Sequence, residues 1–221
     1  MKKILVVMAL FVAMVANAQQ DVTTFLGIPV DGYRDDMISK LKAKGFKVNP
    51  YDEEGLTGEF NGKPVDVYIS TNNNKVYRIF LIDKYGQSEG AILSRFNELC
   101  EQFENHKRYF CDENYKIPLD EDISYEMSVN DKEYEAVYFQ EGNPDIEEKE
   151  IQEILRSKFT EEQLQNPSDE EIFEIERLSY LYYYEKVYKK VVWFRISQNR
   201  GKYYISMYYD NEYNRVNGED L

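Results

Sequence analysis

The pattern of side chains predicts an α+β protein of two tandem helix-plus-antiparallel-sheet units, the second with a helical insertion. Three observations point there. Helical periodicity over residues 31–46 gives way to strand-like alternation, the same order returns after residue 88, and a charged helical stretch between Gly142 and Lys190 interrupts the second run of strands.

In DGYRDDMISKLKAKGF, Met37, Ile38 and Leu41 share one helical face, and Gly45 stands where a left-handed residue ends a helix. Leu56, Gly58 and Phe60 then alternate with Thr57 and Glu59. Asn61-Gly62 marks a tight hairpin, after which Val65, Val67 and Ile69 alternate with Asp66 and Tyr68. A turn at Asn72-Asn73-Asn74 leads into a third strand from Lys75 to Ile82. From Ser88, Ile92, Phe96, Leu99 and Phe103 fall at helical spacing as far as about His106. Beyond it, Ile123, Tyr125, Met127 and Val129 alternate with Ser124, Glu126 and Ser128. With a turn at Asn130-Asp131 and with Tyr134, Ala136 and Tyr138 on its far side, that alternation predicts another hairpin. A shift of 69 residues lays Asn61-Gly62-Lys63 on Asn130-Asp131-Lys132 and Asp66 on Glu135, as an internal duplication would.

In the insertion, Asn143-Pro144 opens a helix carrying Ile146, Ile151, Ile154 and Leu155. Thr160 to Gln163 reads as a capping box, and so does Ser168 to Glu171 just after Pro167. The second box starts a longer helix through Ile172, Ile175, Leu178 and Tyr182. Alternation resumes at Val191 to Ile196, turns at Asn199-Arg200-Gly201 and continues from Lys202 to Asp210. The unit boundaries are accordingly 19–85 and 86–221, with residues 143–190 as the insertion.

The first residues read as a signal peptide over residues 1–18. Lys2 and Lys3 precede an apolar run from Ile4 to Val15, and Ala16-Asn17-Ala18 supplies small residues before Gln19. The run is shorter than the roughly 20 residues a membrane span needs. Gln19-Gln20 stands where a lipoprotein needs its cysteine. The expectation is a periplasmic or extracellular protein without stable membrane insertion after cleavage. The formal charge of -14 repels nucleic acid and anionic lipid, and 43% hydrophobic with 15% aromatic residues suffices for a core.

Cys100 and Cys111, with ten residues between them, are the disulfide candidate. In an oxidising compartment such a bridge stabilises by roughly 3 kcal/mol. The other possibility is that Cys100 packs in a helix while Cys111 points elsewhere, because spacing does not reveal geometry. His106 is the single histidine, so a base-oriented nucleophile has little to draw on; its place near a helix end suits capping. Neither HExxH, nor a metal-spaced Cys/His cluster, nor a phosphate-binding glycine loop occurs, and no cofactor and no metal are expected. Asp210-Asn211-Glu212-Tyr213-Asn214 has oxygen ligands at alternating positions but lacks the glycine and distant glutamate of a calcium loop. No residue is assigned a catalytic role. A carboxylate-pair glycosidase stays open, although most acids fall on solvated helix faces.

Tyrosine is the unusual feature: ten of the twenty lie between Tyr180 and Tyr213. Rigid rings with a hydrogen-bonding tip suit contact surfaces for proteins or sugars. Tyr204 and Tyr208 share one face of the last strand, opposite Tyr203, Ile205, Met207 and Tyr209. With Trp193 and Tyr213 they are the candidate binding residues; filling of a sheet-on-helix core is the other reading of these rings.

The segments FLGIPVDGYRDDMISKLKAKGF and KYYISMYYDNEYNRVNGEDL resemble those of a family of small, uncharacterised exported proteins from Bacteroides-type bacteria. That resemblance spans most of the chain after the leader and brings no function with it. The doubled helix-then-strands order is also similar to the beta-lactamase-inhibitor-protein-like fold, from which the insertion at 143–190 departs. The expectation is a non-catalytic protein that engages a protein or peptide through a tyrosine-rich sheet surface. The alternative is a carbohydrate-active protein of the envelope, as a glycan-binding module or a hydrolase.

Overall fold

The computed structural model describes residues 21–215, and the leader expected at residues 1–18 lies outside them. A short hairpin, β1 (Thr24–Phe25) and β2 (Ile28–Pro29), precedes helix α1 (Arg34–Ala43). Strands β3 (Lys47–Asn49), β4 (Asp52–Phe60), β5 (Lys63–Asn72) and β6 (Lys75–Asp83) follow. Helix α2 (Glu89–Glu104) then opens a second run of four strands: β7 (Tyr109–Phe110), β8 (Glu135–Gln140), β9 (Lys190–Asn199) and β10 (Lys202–Asn211). Helix α3 (Ile123–Val129) interrupts that run between β7 and β8. Helices α4 (Pro144–Lys158), α5 (Glu161–Gln165) and α6 (Asp169–Val187) interrupt it between β8 and β9.

All eight strands from β3 to β10 join one antiparallel sheet in the order β3-β4-β5-β6-β10-β9-β8-β7. This is an α+β fold in which each helix-and-four-strand run forms half of the sheet. The last strands of the two runs, β6 and β10, pair at its centre.

Local chemistry explains the elements. Met37 and Leu41 are one helical turn apart and fully buried, which seats α1 on the sheet; Gly45, at φ +101°, ends the helix. Asn61 and Gly62 both have positive φ, as the two-residue turn between β4 and β5 requires. Gly58 is needed for a different reason. A β-carbon there would stand 2.5 Å from the Phe46 ring, so the ring lies directly on the backbone of β4. Thr160 and Ser168 form the two capping boxes expected of them.

The core lies on one face of the sheet. Ile79 and Leu81 of β6 and Tyr203, Ile205, Met207 and Tyr209 of β10 meet Phe25 and Val30, α1, α2 and Ile123 in one cluster. A buried ion pair ties the halves together: Arg95 of α2 donates to Asp83 at the end of β6 from Nε (3.0 Å) and Nη2 (2.5 Å). The same carboxylate accepts from the backbone N–H of Ile205 in β10 at 3.0 Å.

One hairpin expectation is corrected. Ile123 to Val129 is helix α3, not a strand, so the 69-residue superposition fails at its centre. Asp122 caps the helix by accepting from the Tyr125 N–H at 2.8 Å. Ile123 and Met127, four apart, face the core, whereas Tyr125 and Val129 are exposed. Apolar residues at every second position satisfied both periods, and helical contact with the core won.

Candidate functional site

The sheet face turned away from α1 and α2 carries a row of side chains fixed by register. Tyr68 of β5 pairs with Phe80 of β6, Phe80 with Tyr208 of β10, Tyr208 with Trp193 of β9, and Trp193 with Val137 of β8. All four rings stack. Centroids are 5.8 Å apart for Tyr68 and Phe80, 4.9 Å for Phe80 and Tyr208, and 3.7 Å for Tyr208 and Trp193. Rings this close and nearly parallel cover one another's faces, so edges rather than faces meet solvent. At one end Tyr68 leans over Gly55, where an added β-carbon would meet the ring at 3.0 Å, and its hydroxyl donates to Asp52 at 3.0 Å. At the other end Trp193 pairs in register with the small Val137, and both line the groove beside the row.

Polar groups lock the row. Arg78 donates to Asp210 from Nε (2.5 Å) and Nη2 (2.7 Å), and Trp193 Nε1 donates to the same carboxylate at 2.9 Å. The guanidinium lies 5.0 Å from the Tyr208 centroid and 5.5 Å from that of Trp193. Hydrogen bonding to Asp210 raises the Arg78 pKa above its ordinary value against the opposing effect of burial. Two residues along, Glu135 of β8 pairs in register with Arg195 of β9. Burial raises the Glu135 carboxyl above the usual range, with Arg195 acting in the opposite direction.

Beside Trp193 a groove of about 560 Å³ opens between the sheet and the segments that follow α6 and β10. Val137, Val191 and Trp193 form its floor, Arg78, Asp210 and Glu135 supply polar groups, and Tyr188 and Lys189 stand on its wall. Tyr188 reaches the sheet by packing edge-on to Phe139, with centroids 5.1 Å apart. The insertion thus shapes one end of this face and leaves the aromatic row outside its cover.

Of the candidate binding residues, Tyr208 and Trp193 are neighbours in the row. Tyr204 lies on the same face two alternations away, against Gly86, and Tyr213 sits past the end of β10 among Lys186 and Lys189. The four therefore do not form one cluster. Sequence reading missed Tyr68, Phe80, Arg78 and Asp210, which are brought to the row by strand pairing. Alternation did place Tyr68 on the face opposite Val65 and Val67. Nothing local says that β6 lies beside β10.

The disulfide candidate is corrected, for both thiols are free. Cys100 is fully buried on α2, where burial pushes its pKa up to about 11. Cys111 donates its thiol to the Glu113 carbonyl oxygen at 3.3 Å. His106 lies just past α2, with Nδ1 accepting from the Arg108 N–H at 3.2 Å and its ring set edge-on to Tyr109. The side chains of Asp210 and Asn211 are engaged by protein groups, Asn211 through the Val30 carbonyl and the Tyr213 N–H. They do not converge as calcium ligands would.

No protein-family model matches this chain, and no curated protein or solved structure matches it either.

Proposed function

We propose that this protein acts outside the cytoplasm as a non-catalytic binding protein, engaging a protein or peptide at the outer sheet face. The observation that carries the reading is the register-aligned row Tyr68–Phe80–Tyr208–Trp193, pinned by Arg78 and Asp210. Such a stack is rigid before contact, so little side-chain entropy is lost when a partner covers it. The groove next to it is lined by Trp193 and Val137 and carries charges of both signs, which suits an extended peptide carrying an apolar anchor.

The carbohydrate alternative fits this surface less well. A sugar platform needs ring faces turned outward, and here three of the four rings have theirs covered by neighbours or by Gly55.

Trp193 is the single tryptophan, so its emission reports on the site directly. Peptides selected from a displayed library against the protein without its leader are expected to shift that emission. They should bind the Tyr208→Ala variant about tenfold or more weakly, the loss of one aromatic anchor. Selected ligands that leave the emission unchanged and bind Tyr208→Ala equally well would remove this face from consideration.

A further inference from the structure

A second concavity lies on the helix-bearing side, where the two halves of the sheet meet. Its volume is about 430 Å³, and Phe60, Leu99, Phe103 and Tyr209 make its apolar lining. The C-terminal half of α2 forms one wall and the β4–β5 turn another. Ligand pockets favour such junctions between units and combine an apolar body with a few convergent polar groups.

We propose that this cavity binds a small amphipathic carboxylate, with the apolar tail between Phe60 and Phe103 and the head at Arg108. Two independent observations support it. First, Tyr209 is only 4% exposed, lines the cavity, and its hydroxyl has no hydrogen-bond partner among the described residues. The hydroxyl oxygen is not sealed from solvent, so it opens on the cavity and is available to a ligand there. Second, Arg108 at the mouth is held by donating from Nη1 to Thr24 Oγ1 at 2.8 Å, and no carboxylate among the described residues pairs with it. Its remaining N–H groups form the fork that recognises a carboxylate through two parallel hydrogen bonds. His106 also lines the mouth, and because its Nδ1 is engaged by the Arg108 N–H, Nε2 is the nitrogen left for a ligand.

Two features oppose an anion here. Glu59 is on the rim, and the negative end of the α2 dipole is nearby. Both act through solvent at an exposed mouth and are screened there, whereas a two-point guanidinium–carboxylate contact is short-range and directional. The direct contact decides the sign. This site is separate from the aromatic row, so the two proposals stand or fall independently.

Calorimetric titration of the protein with octanoate, octanol and octylamine tests it. Octanoate is expected to bind one-to-one and at least about tenfold tighter than octanol, with octylamine weakest. Arg108→Gln should bring octanoate down to the octanol level and leave octanol unchanged. Gln102→Trp, at an exposed position of α2 on the rim, should block both by covering the mouth, with an unaltered thermal melt showing that the fold is intact. Emission from Trp193 should not respond to octanoate. The proposal is overturned if none of the three probes saturates, if octylamine binds as well as octanoate, or if Arg108→Gln binds octanoate as the parent does.

Discussion

The free thiols make the sharpest residue-level predictions. A thiol reagent should modify Cys111 in the folded protein and Cys100 only after unfolding, because Cys111 is half-buried and Cys100 fully so. Finding no reactive thiol in the unreduced, unfolded chain would mean that the two are bonded after all. Cys100 also couples stability to pH. Its folded value of about 11 lies above that of an exposed thiol, so between roughly pH 8.5 and 11 the unfolded chain releases a proton that the folded protein keeps. Stability should therefore fall as pH rises through that window, by roughly 3 kcal/mol from this group at about pH 11. Urea unfolding at pH 8 and at pH 11 should show a shallower loss for Cys100→Ala than for the parent; equal losses would refute the assignment. Gly58→Ala probes packing instead. Its new methyl would collide with the Phe46 ring, and about 1–3 kcal/mol of stability should disappear.

At the level of elements, the insertion is expected to be dispensable for the sheet. β8 and β9 are antiparallel neighbours, so a short turn can replace residues 143–187 without changing register. Lys190, buried to 1% exposure, would lose Glu147 at 3.7 Å and keep Asp21 at 2.7 Å. The shortened protein should retain dispersed strand amide signals and lose helical circular dichroism; an unfolded product would show that the helices support the sheet. Helix α3 teaches the complementary lesson. A seven-residue segment holds too few turns for periodicity to separate helix from strand, and contact with Ile123's neighbours in the core settled the matter.

For the whole molecule, the central β6–β10 pairing has a thermodynamic consequence. Five register pairs from Ser206–Ile82 to Asp210–Arg78, a continuous core and the Asp83 link to Arg95 and Ile205 all cross between the halves. One cooperative transition is expected in denaturant, with signals from Trp193 and from helix content coinciding. Two separated transitions would mean that the halves fold alone. Arg95→Met should lower stability by about 3–5 kcal/mol, since it leaves the Asp83 carboxylate buried without its ion-pair partner.

Much of the secondary structure was legible in the residues themselves. Alternation, turn residues and capping boxes are short-range signals, and each acts through the backbone of its own segment. From them came α1, α2, the strands β4 to β6 and β9 to β10, and the helices of the insertion. What only tertiary structure decided is which strands lie side by side, because pairing partners far apart in the chain leave no mark on local periodicity. The aromatic row needs Tyr68, Phe80, Tyr208 and Trp193 to share one register across four strands. The cavity needs Arg108 to arrive beside Thr24 from 84 positions away. Long-range contact fixed both sites.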